Sequence, residues 1–532
     1  MPLNLAGHLT RAARRHPDAP AILHGERERS YAWLDDRVGR LAGGLRRLGL
    51  AEGDRVGIVM DIEPRSIECL LGPLRAGLAI VPVNSRLHPA EHAYMLADCG
   101  ARAVLCSDSR AAGLLGVRSR MPVLDHFIVV GSAGPVDPGI EDYEDLVAGA
   151  APVPDVPVGR DTVSWIFYTS GTTGCPKGAV HTHRSLGAMV DAQLIDIWPS
   201  GVDERLAHVT PMSHAAGLLV FHQTAGAGAH VFPEFTRFEP EDFYRMVERH
   251  RVTKASLVPT MIHRLLDGPW PIRHDISSLK TVQYGGAPLH LEPLRRALDR
   301  FGPIFVNVYA QGEAPLACTF LSKSEHRAAL ETSSRRLTSV GRECYGAEVE
   351  VFGPDDTPVG PGSPGEIVVR GDVVMQRYWN APEASEETLR GGWLHTGDVG
   401  WKDEDGYLYV TDRIKDMVIK GGTNIYPREI EEVLHRHRDV AEAAVFGVPD
   451  AEWGEAVAAA VVLRDGAQAD AAALIGWCSE SVAAFKLPAD IHFVDALPKS
   501  GYGKILKREI RAALYPGAVR RRGSTPIVGQ TR

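Results

Sequence analysis

Short β-rich runs alternate with helical stretches along the first half of this chain. RVGIVM and AIVPVN are typical of strands, and SIECLLGPLRAG between them has a helical pattern, as does ERSYAWLDDRVGRLAGGLRRLGL before them. This alternation predicts mainly parallel sheets that are covered by helices. At 532 residues the chain exceeds what one hydrophobic core supports, so two or more domains are expected.

The pattern changes after Gly353. GEIVVRG, GYLYVTDR and DMVIKGG are short strands separated by turn residues, which indicates antiparallel β structure. A helix then opens at NIYPREIEEVLHRH, with Pro427 near its first turn. The strands AEAAVFGV and AVAAAVVL and the helix ADAAALIGWCSESVA follow. Together they predict an α+β unit of roughly a hundred residues, which is a viable domain size.

Charge and hydropathy argue against two classes of protein. The net charge of −9 argues against a general nucleic-acid binder. The uncharged stretch from His208 to Pro233 contains histidines and glycines, so it fits a buried core segment beside a site better than a membrane span. A peripheral membrane contact stays open. Seven scattered cysteines without a CxxC pair favour a reduced, cytoplasmic setting.

The stretch YTSGTTGCPKG, residues 168–178, is a poor helix or strand because Gly171, Gly174 and Pro176 interrupt both. It suits an anion, since closely spaced backbone N–H groups, hydroxyls and the Lys177 cation can surround phosphate oxygens. The strand VSWIFYT leads directly into it. Its glycine–lysine spacing differs from GxxxxGK[ST], which excludes a P-loop NTPase. The alternative to an anion-binding loop is a flexible surface loop.

Five further motifs follow: YGGAPL (284–289), YAQGEAP (309–315), GGWLHTGDVG (391–400), DRIKDMVIKGGTNIYPREIEEVL (412–434) and LPKSGYGKILKREI (497–510). In this order and at these separations, they resemble the adenylate-forming superfamily, which includes acyl-CoA synthetases, luciferases and peptide-synthetase adenylation domains. The similarity covers essentially the whole chain.

The resemblance implies an α/β fold in two parts. The large N-terminal domain, residues 1–412, has helix-covered mixed β-sheets and a β-barrel-like subdomain. A hinge at 413–416 joins it to a small mobile α+β C-terminal domain, residues 416–515. Residues 516–532 are expected to be a disordered basic tail.

In the resembled family the glycine-rich loop holds the β- and γ-phosphates of ATP. The residues that take this role are Thr169, Ser170, Gly171, Thr172, Thr173, Gly174 and Lys177. Glu313 is expected to hold Mg²⁺, a hard cation that prefers carboxylates and substrate phosphates. Gly312 departs from the Thr or Ser that often contacts the α-phosphate there, and a water or a backbone N–H can replace that hydroxyl.

Other motifs are similar to segments that contact the nucleoside. YGGAPL corresponds to the strand and turn beside the adenine and the acyl group. Asp398 and Arg413 correspond to the two ribose contacts, and a carboxylate suits a vicinal diol because the diol offers two donors. The remaining residues assigned to ATP or AMP are Gly285, Gly286, Ala287, Tyr309, Ala310, Gln311 and Gly312.

The end of the chain resembles the mobile part of these enzymes. Lys504 matches the catalytic lysine, and Lys415 matches the hinge about which the small domain rotates between two half-reactions. Gly421 and Gly422 resemble the backbone that lines the pantetheine tunnel in CoA ligases. The neighbouring basic residues are interpreted as ordinary surface groups: Lys499, Lys507 and Arg508.

His214 in PMSHAAGLLVF corresponds to the region that borders the acyl pocket in relatives. The small residues after it suggest room for a bulky or extended acyl group, although helix packing also favours them: Ala215, Ala216 and Gly217. His181 and His183 are assigned no catalytic role.

The sequence therefore predicts an ATP-dependent carboxylic acid–CoA ligase that uses ATP, Mg²⁺ and coenzyme A. It forms acyl-AMP and pyrophosphate, then acyl-CoA and AMP, with Lys504, Glu313 and Lys177 as catalytic residues. The acid is expected to be apolar, aliphatic or aryl. Loading of a carrier protein, another use of the acyl-AMP and a non-catalytic nucleotide-binding regulator are the alternatives. A homodimer is one option for the oligomeric state.

Overall fold

The structure, a computed structural model, describes residues 4–131, 139–169, 176–268, 272–287, 289–332, 334–413, 416–421, 423–499 and 505–516. Contacts divide the chain into two units, the first made of Met1–Thr396 and Gly400–Val410 and the second of Gly397–Val399 and Thr411–Arg532. The predicted architecture, a large α/β domain and a small C-terminal domain, is confirmed. The hinge candidate Lys415 and residues 517–532 lie outside the described residues.

Two mixed sheets organise the first unit. In spatial order, one contains β16 (Arg342–Glu343), β15 (Ala314–Leu321), β14 (Phe305–Gln311), β13 (Thr281–Gly285), β12 (Lys254–Leu257), β10 (Arg205–Ala207), β11 (Ala229–Phe232), β1 (Pro20–His24) and β2 (Arg27–Ser30). The other contains β19 (Arg377–Tyr378), β9 (Lys177–Thr182), β8 (Val163–Thr169), β4 (Ala79–Pro82), β3 (Arg55–Val59), β5 (Ala101–Ser107), β6 (His126–Val130) and β7 (Glu141–Asp142). Inner strands of both sheets pair in parallel, whereas β2, β9, β15, β16 and β19 pair antiparallel. The predicted mainly parallel sheets are confirmed.

Helices lie between most of these strands, and several of them form the crossovers that parallel neighbours need. In the first unit they are α1 (Gly7–Arg15), α2 (Tyr31–Arg47), α3 (Arg65–Arg75), α4 (Pro89–Asp98), α5 (Asp108–Leu115), α6 (Tyr143–Ala148), α7 (His183–Ala192), α8 (Ala215–Ala225), α9 (Pro240–His250), α10 (Pro259–Asp267), α11 (Leu291–Phe301), α12 (Lys323–Thr332) and α13 (Pro382–Thr388). Local chemistry sets their starts. Ser30 caps α2 by accepting a hydrogen bond from the Trp33 amide, and Thr182 and Ser185 form a capping box at α7.

The uncharged stretch between His208 and Pro233 lies in the core, as predicted. It forms α8 and β11, and both are buried along almost their whole length. A helix that is surrounded by protein needs apolar residues on every face, which explains the missing charges. Within the described ranges, no helix has the length and apolar character needed to cross a bilayer.

Two of the strands predicted after Gly353, GEIVVRG and GYLYVTDR, belong to a four-stranded sheet among the described residues. Its strands, in spatial order, are β17 (Ala347–Phe352), β18 (Gly365–Gly371), β20 (Leu394–Lys402) and β21 (Leu408–Arg413). β17 and β18 pair antiparallel over their full length.

The second unit packs helices on a sheet of β24 (Val440–Asp450), β25 (Gly454–Leu463) and β26 (Asp490–Phe493), beside a ribbon of β22 (Val418–Lys420) and β23 (Thr423–Ile425). Its helices are α14 (Pro427–His435), α15 (Ala471–Ser479) and α16 (Lys507–Leu514). Side chains alternate along β24, so Val445 packs with α14 and α15, whereas Phe446 packs with Ile510 of α16. Pro427 occupies the first turn of α14, as predicted.

The prediction that Lys507 is an ordinary surface lysine is wrong. Its Nζ lies 2.8 Å from Glu431 Oε1, and the two side chains are only 18% and 12% exposed. Burial opposes the charge, but Glu431 and Asp412 together raise the pKa of Lys507 above its usual value. The carboxylates are themselves fixed, since Glu431 accepts from the Val445 amide and Asp412 from the Arg428 amide.

Replacing Lys507 with Met should destabilise the second unit. The change leaves Glu431 and Asp412 without their buried cation, which typically costs about 3–5 kcal/mol, and the residual exposure favours the lower value. Amide hydrogen exchange in the full-length protein, followed over α14 and β24, measures this loss.

Lys486→Met is the matched control. Lys486 Nζ lies 2.7 Å from a carboxylate oxygen of Glu429, which is on α14 like Glu431. Because Glu429 is 41% exposed, the expected loss of stability is below about 1 kcal/mol. Equal exchange in both variants would show that the Lys507 pair does not stabilise this unit.

Candidate functional site

The β8–β9 hairpin brings together the two ends of the glycine-rich loop. β8 ends at Thr169, β9 begins at Lys177, and these two residues face each other across the antiparallel pair. The predicted strand that leads into the loop is therefore present. The loop residues Ser170, Gly171, Thr172, Thr173 and Gly174 lie outside the described residues, so their phosphate contacts stay a prediction.

Glu313 meets this hairpin from the other large sheet. It lies in the turn between β14 and β15, and its Oε1 accepts hydrogen bonds from Thr169 Oγ1 at 3.2 Å and from the Tyr378 hydroxyl at 2.7 Å. The predicted metal carboxylate and the start of the predicted phosphate loop are thus in direct contact.

Tyr378 also faces the loop's cation. Lys177 Nζ lies 5.3 Å from the centre of the Tyr378 ring, within the range of a cation–π contact. Burial first, and then the neighbouring Glu313 charge, raise the pKa of Tyr378 well above its usual value, so its hydroxyl is a neutral donor. The sequence contained no signal for this role, because a tyrosine in RYWN looks like any core aromatic residue.

Gly312 is enclosed by three side chains. A Cβ at this position would overlap the Thr169 Cγ2 methyl and approach Phe167 to 3.1 Å. The Gly312 carbonyl accepts a hydrogen bond of 2.7 Å from His181 Nε2. Burial lowers the pKa of His181 to about 4, so the ring is neutral at physiological pH. A Thr or Ser at 312 therefore needs space that Thr169 and Phe167 occupy here.

Phe167 and His214 form an apolar wall next to this region. Their rings meet edge to face at 4.9 Å, and Ser213 Oγ hydrogen-bonds His214 Nδ1 at 2.8 Å. Burial lowers the pKa of His214 to about 3, so it carries no charge near neutral pH.

The small residues at the start of α8 have a packing explanation. Ala216 is buried, and a Cβ at Gly217 would overlap the Met212 carbonyl and approach the Trp165 ring. Close packing thus requires the glycine at 217. The suggested extra room for an acyl group stays a prediction for Ala215, which is half-buried.

The carboxyl ends of β13 and β14 lie side by side in parallel, with Gly285 opposite Val308. Ligands of open α/β sheets bind outside such strand ends. A Cβ at Gly285 would overlap the Val308 carbonyl, so the close approach of the strands requires glycine. The other residues predicted here are half-buried or exposed: Gly286, Ala287, Tyr309, Ala310 and Gln311.

The two predicted ribose contacts lie together in the second unit. Arg413 Nε is 3.1 Å from Asp398 Oδ1, and Asp398 is almost fully buried. Gly421 is held in the same unit, where its amide donates to the Trp453 carbonyl at 2.8 Å. The remaining predicted residues of this unit, Lys415, Gly422 and Lys504, lie outside the described residues.

The oxygen atoms at Glu313 and Thr169 are suitable ligands for Mg²⁺. A carboxylate and the Thr169 hydroxyl are oxygen ligands, and Mg²⁺ is usually held by one or two carboxylates together with substrate phosphates. Across the described ranges, no group of three or more His, Cys, Asp or Glu side chains could hold a metal by itself. One carboxylate and one hydroxyl suit a cation that arrives together with a phosphorylated substrate.

These features place a lysine, a hydroxyl and a carboxylate together in an α/β fold, and comparisons with known proteins identify its family. Residues 9–379 match the family model described as AMP-binding enzyme, and residues 429–504 match the AMP-binding enzyme C-terminal domain. The medium/long-chain-fatty-acid–CoA ligase FadD8 of Mycobacterium tuberculosis (strain ATCC 25618 / H37Rv) is 36% identical over 97% of this chain and 91% of its own length. A feruloyl-CoA synthase of Amycolatopsis sp is 38% identical over 94% of this chain and 97% of its own length.

Among solved structures, ATP-bound MatB from Rhodopseudomonas palustris superposes with a TM-score of 0.87 at 30% identity, covering 96% of this chain and 99% of that one. The chain belongs to the AMP-binding enzyme family, within the adenylate-forming superfamily. The predicted enzyme class, an AMP-forming acid–thiol ligase, is confirmed.

Adding a side chain at Gly312 should destabilise the protein through Thr169. Gly312→Ala places its Cβ against the Thr169 methyl, and such overpacking costs about 1–3 kcal/mol. Thr169→Ser removes that methyl, so the double variant should recover most of the loss. Thermal unfolding of the two single variants and the double variant measures the coupling. Simple addition of the two single effects would contradict this account.

Proposed function

We propose that this protein activates an apolar carboxylic acid with ATP and transfers the acyl group to coenzyme A. The proposal rests on one observation: Thr169 pairs with Lys177 across the β8–β9 hairpin and hydrogen-bonds Glu313 of the other large sheet. These three residues supply a cation for a polyphosphate, and a hydroxyl and a carboxylate for its metal ion.

The first half-reaction joins two anions. The substrate carboxylate attacks the α-phosphate, and pyrophosphate leaves with additional charge, so positioning and charge neutralisation carry the step. Lys177 binds the departing phosphates together with the glycine-rich loop. Glu313 and Thr169 would hold Mg²⁺, which supplies further positive charge to the phosphates when it is bound.

Attack on the α-phosphate brings a second anion next to it, so a further positive charge there would stabilise the transition state. We assign it to Lys504, whose ammonium would lie between the carboxylate and the α-phosphate. Lys415 is the proposed hinge between the two half-reactions, and Asp398 with Arg413 is proposed to bind the ribose.

The acid is proposed to be aliphatic or aryl and to carry no second charge. The proposed acyl pocket is lined by the Phe167 ring and the neutral His214 ring. These rings suit apolar contact rather than pairing with a second carboxylate. Relatives that are named for a fatty acid and for ferulate agree with this class.

Coenzyme A is the proposed acceptor because of a surface in the second unit. Gly421 bonds to Trp453 and Lys420 Nζ bonds to the Phe485 carbonyl, so both aromatic residues flank this pair. Trp453 is 49% exposed and Phe485 is 44% exposed. Exposed aromatic rings beside a lysine provide stacking and charge for the adenine and phosphates of CoA.

Product analysis over a panel of acids tests the proposal. We expect pyrophosphate release with apolar acids and acyl-CoA only when CoA is present. Acyl-AMP that accumulates whether or not CoA is added would favour a different acceptor. A lack of pyrophosphate release with every acid would contradict the proposed activity.

Lys504→Ala should separate the two half-reactions. Loss of a well-placed charged donor costs roughly 3–4 kcal/mol of transition-state stabilisation, so acyl-adenylate formation should fall by about 10²–10³-fold. Thioester formation from supplied acyl-AMP should remain largely intact. Equal loss of both rates in rapid-quench measurements would count against this role.

Trp453→Ala should distinguish CoA from a carrier protein as the acceptor. Loss of base stacking on an aromatic ring costs about 1–3 kcal/mol, so the KM for CoA should rise roughly tenfold while pyrophosphate release without CoA is unchanged. Phosphopantetheine alone, which lacks the adenine, is the control acceptor and should be insensitive to the change. An unchanged KM for CoA would argue against this surface.

A further inference from the structure

Tyr378 connects the two charged residues of the candidate site. Its hydroxyl donates to Glu313 Oε1 at 2.7 Å, and its ring lies 5.3 Å from Lys177 Nζ. Thr169 donates to the same carboxylate oxygen. Because both bonds end on Oε1, together they fix the rotation of the Glu313 carboxylate.

The backbone around Tyr378 is held on both sides. Tyr378 pairs with Ala179 on β9, and the next amide, that of Trp379, donates to the Gly178 carbonyl at 2.7 Å. Three residues earlier, the Met375 amide donates to the Glu313 carbonyl, also at 2.7 Å. The tyrosine therefore cannot move independently of either the strand that begins at Lys177 or the turn that carries Glu313.

Packing alone does not explain a tyrosine here. The side chain is 8% exposed, and a phenylalanine would fill the same volume. A buried hydroxyl needs a partner, and this one bonds to a carboxylate, which is a stronger interaction than one with a neutral acceptor. The ring meanwhile offers its face to an ammonium, which favours a fixed lysine position.

We propose that Tyr378 is a positioning residue that holds Glu313 and Lys177 in a fixed relation, ready for a metal–nucleotide complex. The hydroxyl orients the carboxylate for Mg²⁺, and the ring orients the ammonium for the phosphates. This inference rests on the proposed role of Glu313 in metal binding.

Equilibrium binding of ATP without acid, so that no turnover occurs, tests the hydroxyl. Calorimetric titration of ATP at a series of Mg²⁺ concentrations gives the Mg²⁺ concentration at half-maximal effect. In Tyr378→Phe this value should rise about threefold to tenfold, whereas the ATP affinity in EDTA should stay unchanged. Thermal unfolding confirms that the variant is folded.

Tyr378→Leu tests the ring separately. It loses both the hydroxyl and the aromatic face, so the ATP affinity in EDTA should also fall, by about twofold to fivefold. Lys177→Met provides the reference for complete loss of the cation. If Tyr378→Leu and Tyr378→Phe bind ATP with equal affinity in EDTA, the ring does not orient Lys177 and that part of the proposal is wrong.

Tyr407→Phe is the matched control. The Tyr407 hydroxyl donates to Glu325 Oε1 at 2.8 Å and Arg336 lies 4.2 Å from its ring centre, so the same two contacts occur in a cluster outside the candidate site. This variant should keep the wild-type Mg²⁺ dependence. If it shifts as much as Tyr378→Phe, the effect is general and the proposal is wrong.

Glu313→Gln distinguishes the two possible failures. If it raises the Mg²⁺ requirement and Tyr378→Phe does not, Glu313 binds the metal and the positioning role is wrong. If neither variant changes the Mg²⁺ requirement, the proposed metal role of Glu313 fails, and the positioning role fails with it.

Discussion

The contact between Glu313 and Thr169 is the interaction on which the candidate site depends. Thr169 ends β8 in one large sheet, and Glu313 lies in the turn after β14 in the other. Thr169 and Lys177 therefore belong to one sheet and Glu313 to the other. The segment that contains Met375 and Tyr378 joins them, because the Met375 amide donates to the Glu313 carbonyl and Tyr378 pairs with β9. A change that moves either strand end therefore changes the distance between the carboxylate and the loop.

Gly312 shows why a departure from a family pattern has to be interpreted in its surroundings. Sequence comparison indicates a missing hydroxyl at this position. The structure indicates that the space is occupied, because the Thr169 methyl overlaps the position of a Cβ and the Phe167 ring lies 3.1 Å from it. His181 also holds the Gly312 carbonyl. The glycine is therefore part of a packed arrangement and is not simply a lost contact. Its backbone, fixed from one side by a neutral imidazole, leads directly into Glu313.

Much of this arrangement was accessible from the sequence because its signals are local. Short β-rich runs located β3, β4 and β8, and Pro427 marked the start of α14. Tyr378 and Lys507 were missed for the opposite reason. Tyr378 acts on a residue sixty-five positions earlier in the chain. Lys507 can be buried as a cation because the negative charges of Glu431 and Asp412, on other elements, balance its positive charge. A lysine or a tyrosine with a distant partner has the same local sequence as one without, so no pattern of spacing separates them.

The alternation of β8 explains how one strand serves two kinds of chemistry. Successive side chains of a strand point to opposite faces, so Trp165, Phe167 and Thr169 share one face, whereas Ile166 and Tyr168 pack into a different cluster. Along the shared face the polarity changes from the Trp165 ring, through the Phe167 ring beside His214, to the hydroxyl that binds Glu313. The proposed apolar acid would match this order if its carboxylate pointed toward the proposed phosphate site. A one-residue shift in the pairing of β8 with β9 would turn all three side chains to the other face, so the register opposite Lys177 determines whether Thr169 can reach Glu313.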